Sequence, residues 1–315
     1  MATETETPHF KRMALIGVGL IGSSIALSAK RAGLVDSIVG CARTARTREK
    51  AVELGIVDAM YEDPAETVAG ADLVIVCSHL GSYPSVGAAM APGLAPGAIV
   101  TDVGSVKGCV ARDLGPHIPD GVHLVPGHPV SGSEKSGPEA GFETLFDDRW
   151  WILTPAEDAD QEVVQRVSAF VEALGSRVEI MDAKRHDLVL AITSHLPHLI
   201  AYNIVGTADD METITQGEVV KYSAGGFRDF TRIAASDPEF WRDVFLNNRD
   251  AVLETMGRFT EDLIALQRAI RWGQGDQLLE LFTNSRDIRH RIIQAGQDTD
   301  APDFGRRAEP PSESD

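Results

Sequence analysis

The sequence predicts an α/β fold in which an N-terminal doubly wound domain precedes an all-α domain. Two observations carry this prediction. Short apolar runs alternate with helical stretches as far as about residue 180, and the first of these runs leads directly into a glycine-rich turn. Beyond residue 182, apolar residues recur at spacings of three and four, as they do on one face of a helix.

The length of the chain fits this division. The 315 residues exceed one typical domain, which spans about 100–200 residues. We expect a dinucleotide-binding Rossmann domain over 11–181, a helical substrate and dimerisation domain over 182–296, and a disordered acidic tail over 297–315.

The glycine-rich turn is the most informative motif. The apolar run 13–16 predicts a buried strand, and 23–32 predicts a helix that ends at Gly33. Between them, Gly17 allows a tight turn, Gly19 lets the backbone approach a pyrophosphate, and Gly22 lets the helix pack closely on the strand. The predicted cofactor-binding residues of this turn are Gly17, Gly19, Leu20, Ile21 and Gly22.

Further apolar runs extend the predicted sheet. Continuous Val- and Ile-rich runs separated by helical stretches are typical of a parallel sheet covered on both faces. We expect a helix around 47–54 and one sheet that continues to about residue 180, with strands at 37–42, 72–77, 98–102, 123–126, 150–154 and 178–181.

The second half is predicted to be helical. Pro197 lies inside a helical pattern and predicts a kink. Ser236, Pro238 and Glu239 predict the start of one long helix that ends near Gly273. The apolar positions of such a helix favour a homodimer.

Composition excludes several classes of function. A formal net charge of −18 disfavours a nucleic-acid partner, since binding phosphates requires a basic face. The chain contains no run of about 18 uninterrupted apolar residues, so we expect no membrane span. A polar N-terminus and three widely spaced cysteines favour the cytoplasm and argue against a structural zinc site. Against this acidity, five basic residues are candidates for holding anions: Arg43, Arg46, Lys107, Arg228 and Arg232.

Polar residues follow several predicted strands, where ligands of doubly wound sheets bind. Asp102, Ser105 and Lys107 follow one strand, although Ser105 and Lys107 could merely cap the next helix. His128 lies between Gly and Pro, in what we predict to be a loop, and could act as a base. A zinc site formed with His123 and Glu134 is conceivable but has no cysteine support.

Two clusters occur in the helical half. His195 and His198 share a helix face, close to Ser194 and after Asp187, and could line a pocket, bind a metal, or be ordinary buried histidines. Gly225 begins a segment containing Arg228 and Arg232, which suits a carboxylate-binding loop, with surface ion pairing as the alternative.

The end of the second strand bears on the choice of cofactor. This position has no Asp or Glu to bond a ribose 2′-hydroxyl, whereas Arg43, Thr44 and Arg46 would suit a 2′-phosphate. We therefore expect NADP in preference to NAD while allowing both. Ser78 and Asp102, which follow neighbouring strands, complete the predicted cofactor set.

Taken together, the motifs GVGLIGSS, DVGSVKG, GHPVSGSEKSG, SHLPH and GGFRDFTRIAASDPEFW resemble the prephenate/arogenate (cyclohexadienyl) dehydrogenase family of tyrosine biosynthesis. The resemblance covers residues 13 to about 295. It implies NAD(P)-dependent oxidative decarboxylation of a small-molecule substrate, which would be prephenate, arogenate or both. The sequence does not show which of the two is the substrate.

The resemblance also implies roles for individual residues. His128 would accept the proton of the ring hydroxyl, with Ser105 bonded to the same group. Arg232 would pair with a substrate carboxylate. The remaining substrate-binding residues would be Glu134, Asp187, Ser194, His198, Gly225, Arg228 and Trp241. Many family members have Lys where this chain has Arg228.

Two alternative functions remain open at this point. A β-hydroxyacid or imine reductase of similar build would carry a catalytic Lys or Asp in the central helix, where this chain has SHLPH. A non-catalytic NAD(P)-sensing protein would not need a base at His128.

Overall fold

The computed structural model describes residues 9–133, 135–212 and 218–294. The chain divides into two compact units, Met1–Thr255 and Met256–Asp315. The predicted tail over 297–315 lies outside the described residues. The predicted boundary at 181/182 falls inside the first unit and remains a prediction.

A six-stranded parallel sheet forms the centre of the first unit and confirms the predicted doubly wound fold. The order is β3-β2-β1-β4-β5-β6, so the chain reverses direction across the sheet between β1 and β4. The strands are β1 (Phe10–Ile16), β2 (Val35–Cys41), β3 (Ala59–Tyr61), β4 (Leu73–Val76), β5 (Ile99–Asp102) and β6 (His123–Leu124).

The prediction that this sheet continues to residue 180 is wrong. The later strands form a second sheet of order β7-β8-β9, in which β7 (Gly127–Pro129) runs antiparallel to β8 (Trp150–Leu153) and β8 runs parallel to β9 (Arg177–Ile180). The predicted loop around His128 is therefore a strand, paired with Ile152. A three-residue strand with few β-branched residues gives no periodic signal, which is why the sequence pattern did not reveal it.

Helices cover the sheet and form most of the second half. In the first half they are α1 (Leu20–Ala32), α2 (Ala45–Glu53), α3 (Pro64–Val68), α4 (Tyr83–Met90), α5 (Gly108–Asp113) and α6 (Gln161–Ala173). In the second half they are α7 (Ala183–Leu190), α8 (Leu196–Glu212), α9 (Glu218–Lys221), α10 (Gly225–Thr231), α11 (Pro238–Asn247), α12 (Arg249–Arg271) and α13 (Gly275–Gln294).

The predicted long helix from Ser236 to Gly273 is two helices. Asp237, not Ser236, caps α11 through its side chain, which accepts a hydrogen bond from the Phe240 N–H. The break falls at Asn248, whose side chain is drawn into buried hydrogen bonds. Gly273 has a φ of +63° between α12 and α13, as expected of a glycine that ends a helix.

A single turn of π-helix, Ala191–His195, joins α7 to α8. Pro197 is the second residue of α8, so the widened turn lies immediately before the position where the sequence predicted a kink. The continuous helix Ala183–Met211 is long and apolar enough to cross a membrane by length and composition alone. Of its most apolar window, 28% is buried, and the helix carries buried His186 and Asp187, which bond to other parts of the first unit.

The core lies on both faces of the parallel sheet. Met13 and Leu15 of β1 pack in one apolar cluster, and Ala14 and Ile16 pack in the other, as the alternation of side chains along a strand requires. Trp241 and Val244 of α11 belong to the second cluster. Helix α11 is thereby fixed against the carboxyl ends of the strands, where the predicted site residues lie.

Candidate active site

The glycine-rich turn lies at the point where the strand order reverses, which is where dinucleotides bind in such sheets. Gly17 has a φ of +105°, and a Cβ there would lie 2.8 Å from the carbonyl oxygen of Cys77. A Cβ on Gly22 would collide with the carbonyl oxygen of Gly17. A Cβ on Gly19, by contrast, would meet nothing within 4 Å. This open space, at the N-terminus of α1, fits the pyrophosphate of a dinucleotide.

Basic residues surround the end of β2. Thr44 caps α2, and Arg46 is almost fully exposed, with its guanidinium 3.9 Å from Glu139. A groove of about 300 Å³ runs between α2 and the segment 136–139, with Arg46, Thr47 and Lys50 on one side. Arg48 is turned inward and donates to the carbonyl oxygens of Ala42 and Arg43, so it supports the turn.

A buried ion pair fixes the centre of the site. The Lys107 ammonium lies 2.6 Å from Asp102 Oδ2 and donates to the carbonyl oxygen of Gly127, and both charged side chains are completely buried. Asp102 also accepts hydrogen bonds from the Tyr83 hydroxyl and from the backbone N–H groups of Gly104 and Gly127. Lys107 is therefore not available to hold a ligand anion, contrary to the sequence prediction, because its charge is neutralised by Asp102. The same bonds tie β7 to the end of β5.

His128 is the first member of a buried hydrogen-bonded chain. Its Nδ1 lies 2.8 Å from Nε2 of His186, and Nδ1 of His186 lies 2.8 Å from Oδ1 of Asp187. The two oxygens of Asp187 also accept the backbone N–H groups of Lys107 and Gly108, at 2.7 and 2.8 Å. The carboxylate is thus anchored at the N-terminus of α5, and the two rings are held in line with it.

Asn248 extends this chain toward a third histidine. Its amide nitrogen donates to the carbonyl oxygen of Asp187 and lies 3.0 Å from Nδ1 of His195. Because an amide nitrogen only donates, His195 Nδ1 accepts and Nε2 carries the proton. The Ser105 backbone lies near this ring. His195 Nε2 is buried, and it has no hydrogen-bond partner among the residues that the structure describes.

An aromatic wall adjoins His195. The His198 ring stacks on Trp241, with centroids 3.6 Å apart, and the His195 ring meets the edge of the same indole at 6.0 Å. His198 Nδ1 bonds to the carbonyl oxygen of Ser194. Burial lowers the pKa of the His198 ring, and the positive charge of Arg232 adds to this effect. A continuous set of contacts therefore connects His128 with the stacked pair of His198 and Trp241.

Burial shifts the ionisation of all four histidines in the same direction. Desolvation is the largest cause in each case and lowers the pKa of His128 well below its ordinary value, with His186, Lys107 and His195 adding to the effect. The pKa of His186 is lowered although its bond to Asp187 opposes the shift, and that of His195 falls to about 4. The rings are therefore neutral at pH 7.

The other predicted residues are less closely connected. Ser105 is half-buried in the turn between β5 and α5, and Ser78 is half-buried after β4, where its hydroxyl accepts from Ser82. Arg228, on α10, is exposed with its Nε 3.6 Å from Asp229, and Gly225 begins the same helix. Glu134 lies outside the described residues.

Three residues of the central network were missed as site residues by sequence reasoning: His186, Tyr83 and Asn248. For His186, the sequence pattern that could have indicated a role is its position directly before Asp187, since a carboxylate often orients a functional histidine. Nothing in the spacing indicates that its ring meets His128, which is 58 positions away along the chain. Within the described ranges, no group of three or more His, Cys, Asp or Glu side chains could hold a metal ion.

Two family models match this chain. The nucleotide-binding domain of prephenate dehydrogenase matches residues 25–180, and the dimerization domain of prephenate dehydrogenase matches residues 182–284. Among characterised relatives, the cyclohexadienyl dehydrogenase of Zymomonas mobilis is 41% identical over 282 residues, covering 89% of this chain and 95% of the relative. The prephenate dehydrogenase of Bacillus subtilis is 31% identical, covering 87% of this chain and 74% of the relative.

Solved structures of prephenate and arogenate dehydrogenases are similar to this chain as well. A prephenate dehydrogenase from A. aeolicus, in complex with hydroxyphenyl propionate and NAD+, superposes with a TM-score of 0.84 at 33% identity, covering 91% of this chain and all of that one. An arogenate dehydrogenase from Synechocystis superposes with a TM-score of 0.74 at 27% identity, covering 89% of this chain and 99% of that one. The chain belongs to the prephenate dehydrogenase family, nicotinamide-dependent oxidoreductases of tyrosine biosynthesis.

Proposed function

We propose that His128 is the general base in the oxidative decarboxylation of a cyclohexadienyl carboxylate, prephenate or arogenate, by this enzyme. The observation that carries this assignment is the buried chain from His128 through His186 to Asp187, with both inter-residue distances at 2.8 Å. Such a chain orients one imidazole and fixes which of its nitrogens is free to accept a proton.

The direction of the chain follows from its last member. A carboxylate only accepts, so His186 Nδ1 carries a proton and, in a neutral ring, His186 Nε2 accepts. His128 Nδ1 then has to donate, which leaves a lone pair on His128 Nε2. A proton taken up at Nε2 is stabilised through the same bonds by Asp187.

The reaction has no net release of protons. His128 Nε2 takes the hydroxyl proton as that carbon becomes a carbonyl, and returns it to the same oxygen when loss of carbon dioxide makes the ring aromatic. When bound, the nicotinamide supplies the acceptor for the hydride of that carbon. Because aromatisation supplies the driving force, the residues of the site mainly position the substrate and move one proton.

The aromatic wall suits the rest of the substrate. Arg232 can pair with a carboxylate, and the stacked pair of His198 and Trp241 offers a flat surface to the ring. Ser105, after β5, would bond the reacting hydroxyl. Ser194, Glu134, Arg228 and Gly225 complete the proposed substrate set. Asp187, which the sequence analysis also placed in this set, is buried with both carboxylate oxygens bonded within the protein, so we propose that it acts through His186 instead.

Replacing the base should reduce turnover while sparing cofactor binding. We expect His128→Asn to lower kcat by about 10²–10⁴-fold, as for loss of a general base, with the Kd for the oxidised cofactor unchanged. In the wild type, kcat/KM should stay flat down to pH 6.5 and fall only below it, because burial lowers the pKa of His128 and protonation removes the lone pair.

Initial rates of cofactor reduction with prephenate and with arogenate, from pH 5 to 9, test this expectation. An acidic limb at or above pH 6.5, or a His128→Asn enzyme with undiminished kcat, would contradict the assignment. The latter result would show that a group other than His128 accepts the proton.

We also propose a preference for NADP over NAD. The exposed guanidinium of Arg46, with Arg43 and the helix start at Thr44, lies where a ribose 2′-phosphate would bind. The A. aeolicus relative was crystallised with NAD+, so family membership does not decide this point. Ser78 and the glycines of the turn are common to both cofactors.

Arg46→Ala separates the two cofactors. Removing a charged hydrogen-bond donor should lower kcat/KM for NADP+ by about tenfold or more and leave kcat/KM for NAD+ within about twofold. Equal losses with both cofactors, or a wild type that favours NAD+, would show that no 2′-phosphate binds here.

A homodimer formed through the helical domain 182–296 is the third part of the proposal. The second unit exposes large apolar side chains, among them Leu263, Trp272, Leu279, Phe282 and Ile288. The family model matched by this part of the chain describes a dimerization domain.

We also propose that the protein is located in the cytoplasm, since its three unpaired cysteines fit a reducing compartment.

Sedimentation at micromolar concentration tests the dimer. The wild type should sediment as two chains, and Phe282→Glu should shift it toward one chain because a buried charge disfavours an apolar interface. Gln277→Glu, an exposed polar position on the same helix, is the matched control and should leave the dimer intact. A wild type that sediments as one chain would refute the proposal.

A further inference from the structure

The turn after β4, residues 78–82, lies beside the glycine-rich turn at the point where the strand order reverses. Its position places it against any dinucleotide bound there. The turn contains a short 3-10 segment, Leu80–Ser82, and is closed by the N–H and hydroxyl of Ser82, which both donate to the carbonyl oxygen of His79. A contact from a distant element adds to these bonds and ties the turn to the rest of the first unit.

Asp243 of α11 makes such a contact. Its Oδ2 accepts the Gly81 N–H at 3.0 Å, across 162 positions of sequence, and the residue is only 7% exposed. The other oxygen, Oδ1, pairs with the exposed guanidinium of Arg242. A second contact joins the same two elements, since the rings of His79 and Phe240 meet edge to face at 6.2 Å.

Helix α11 also carries one side of the proposed substrate site. Trp241, two residues before Asp243, stacks on His198 at 3.6 Å and contacts the edge of His195. One rigid helix thus bears both the carboxylate that holds the cofactor-side turn and the indole that supports the substrate-side wall.

We propose that Asp243 is a positioning residue that couples cofactor binding to substrate binding. A nicotinamide dinucleotide seated against turn 78–82 fixes Gly81, the Gly81–Asp243 bond fixes α11, and α11 holds Trp241 and His198 ready for a cyclic carboxylate. This inference rests on the proposed placement of the two ligands. By linkage, each ligand then tightens the binding of the other by the same factor.

A merely structural role gives a different result. Loss of general stability would weaken the binding of each ligand but leave the ratio of affinities unchanged. The coupling factor isolates the proposed effect. It is the Kd of the oxidised cofactor alone divided by its Kd with saturating hydroxyphenyl propionate, measured with whichever of NADP+ and NAD+ binds more tightly. Calorimetric titration measures it without turnover, because this pair of ligands cannot react.

Variants from both sides of the contact make the test specific. Asp243→Ala removes the acceptor. Gly81→Ala perturbs the same bond from the turn, because its Cβ would lie 2.5 Å from Asp243 Oδ2 and displace the carboxylate. Asp243→Asn keeps an acceptor for Gly81, and Arg242→Gln removes only the surface ion pair, so both are matched controls.

We expect a coupling factor of about fivefold or more in the wild type, the lower end of typical values. Asp243→Ala and Gly81→Ala should bring the factor to within about twofold of unity, and the two controls should retain it. If Asp243→Ala does not fold, Gly81→Ala decides the matter.

A wild-type factor of one, unchanged coupling in Gly81→Ala, or an equal loss in the controls would overturn the inference. The titration involves no chemistry, so its result is independent of whether His128 is the base. Conversely, undiminished turnover in His128→Asn would overturn that assignment and leave the coupling measurement intact.

Discussion

The buried ion pair between Lys107 and Asp102 is the constraint on which the site depends. Removing one partner of such a pair costs about 3–5 kcal/mol, because the other charge is left uncompensated in the interior. This pair also has a geometric effect. The ammonium bonds to the Gly127 carbonyl oxygen, so it fixes the strand that carries His128, while the Lys107 backbone N–H holds Asp187. One residue therefore sets the positions of both ends of the histidine chain.

The fold supplies the rest of the arrangement through strand ends. The dinucleotide-binding turn follows β1, the Gly81 turn follows β4, and Asp102 ends β5, so these groups meet at one edge of the parallel sheet. The small second sheet adds His128, and the helix from Ala183 brings His186 and Asp187 against it. Burial then keeps the imidazoles neutral, which is the form that accepts a proton. Hydrogen bonds to three buried charged residues, Asp102, Lys107 and Asp187, thus hold the proposed catalytic histidines on the fold.

The sequence predicted the elements with strong local signals and missed those without them. The spacing of glycines predicts the turn around Gly19, and the spacing of apolar residues predicts the Val- and Ile-rich strands and the helical second half. His128 was identified from its neighbours, but its strand was not, because three residues show no period. His186 and Asn248 acquire their roles only through contacts across many positions of sequence, which no local pattern encodes. The sequence predicts an anion site at Lys107 because a local motif does not distinguish a lysine that is free to bind a ligand from one that is buried against a carboxylate.

The proposed chemistry requires that Asp187, acting through His186, leaves the lone pair of His128 on Nε2. The ¹⁵N chemical shifts of the histidine rings report this protonation state, when measured on the labelled enzyme at pH 7 with His128→Asn used to assign the signals. We expect a protonated Nδ1 and an unprotonated Nε2 for His128, with Nδ1 also protonated on His186. A His128 ring protonated at Nε2 instead, or at both nitrogens, would contradict it.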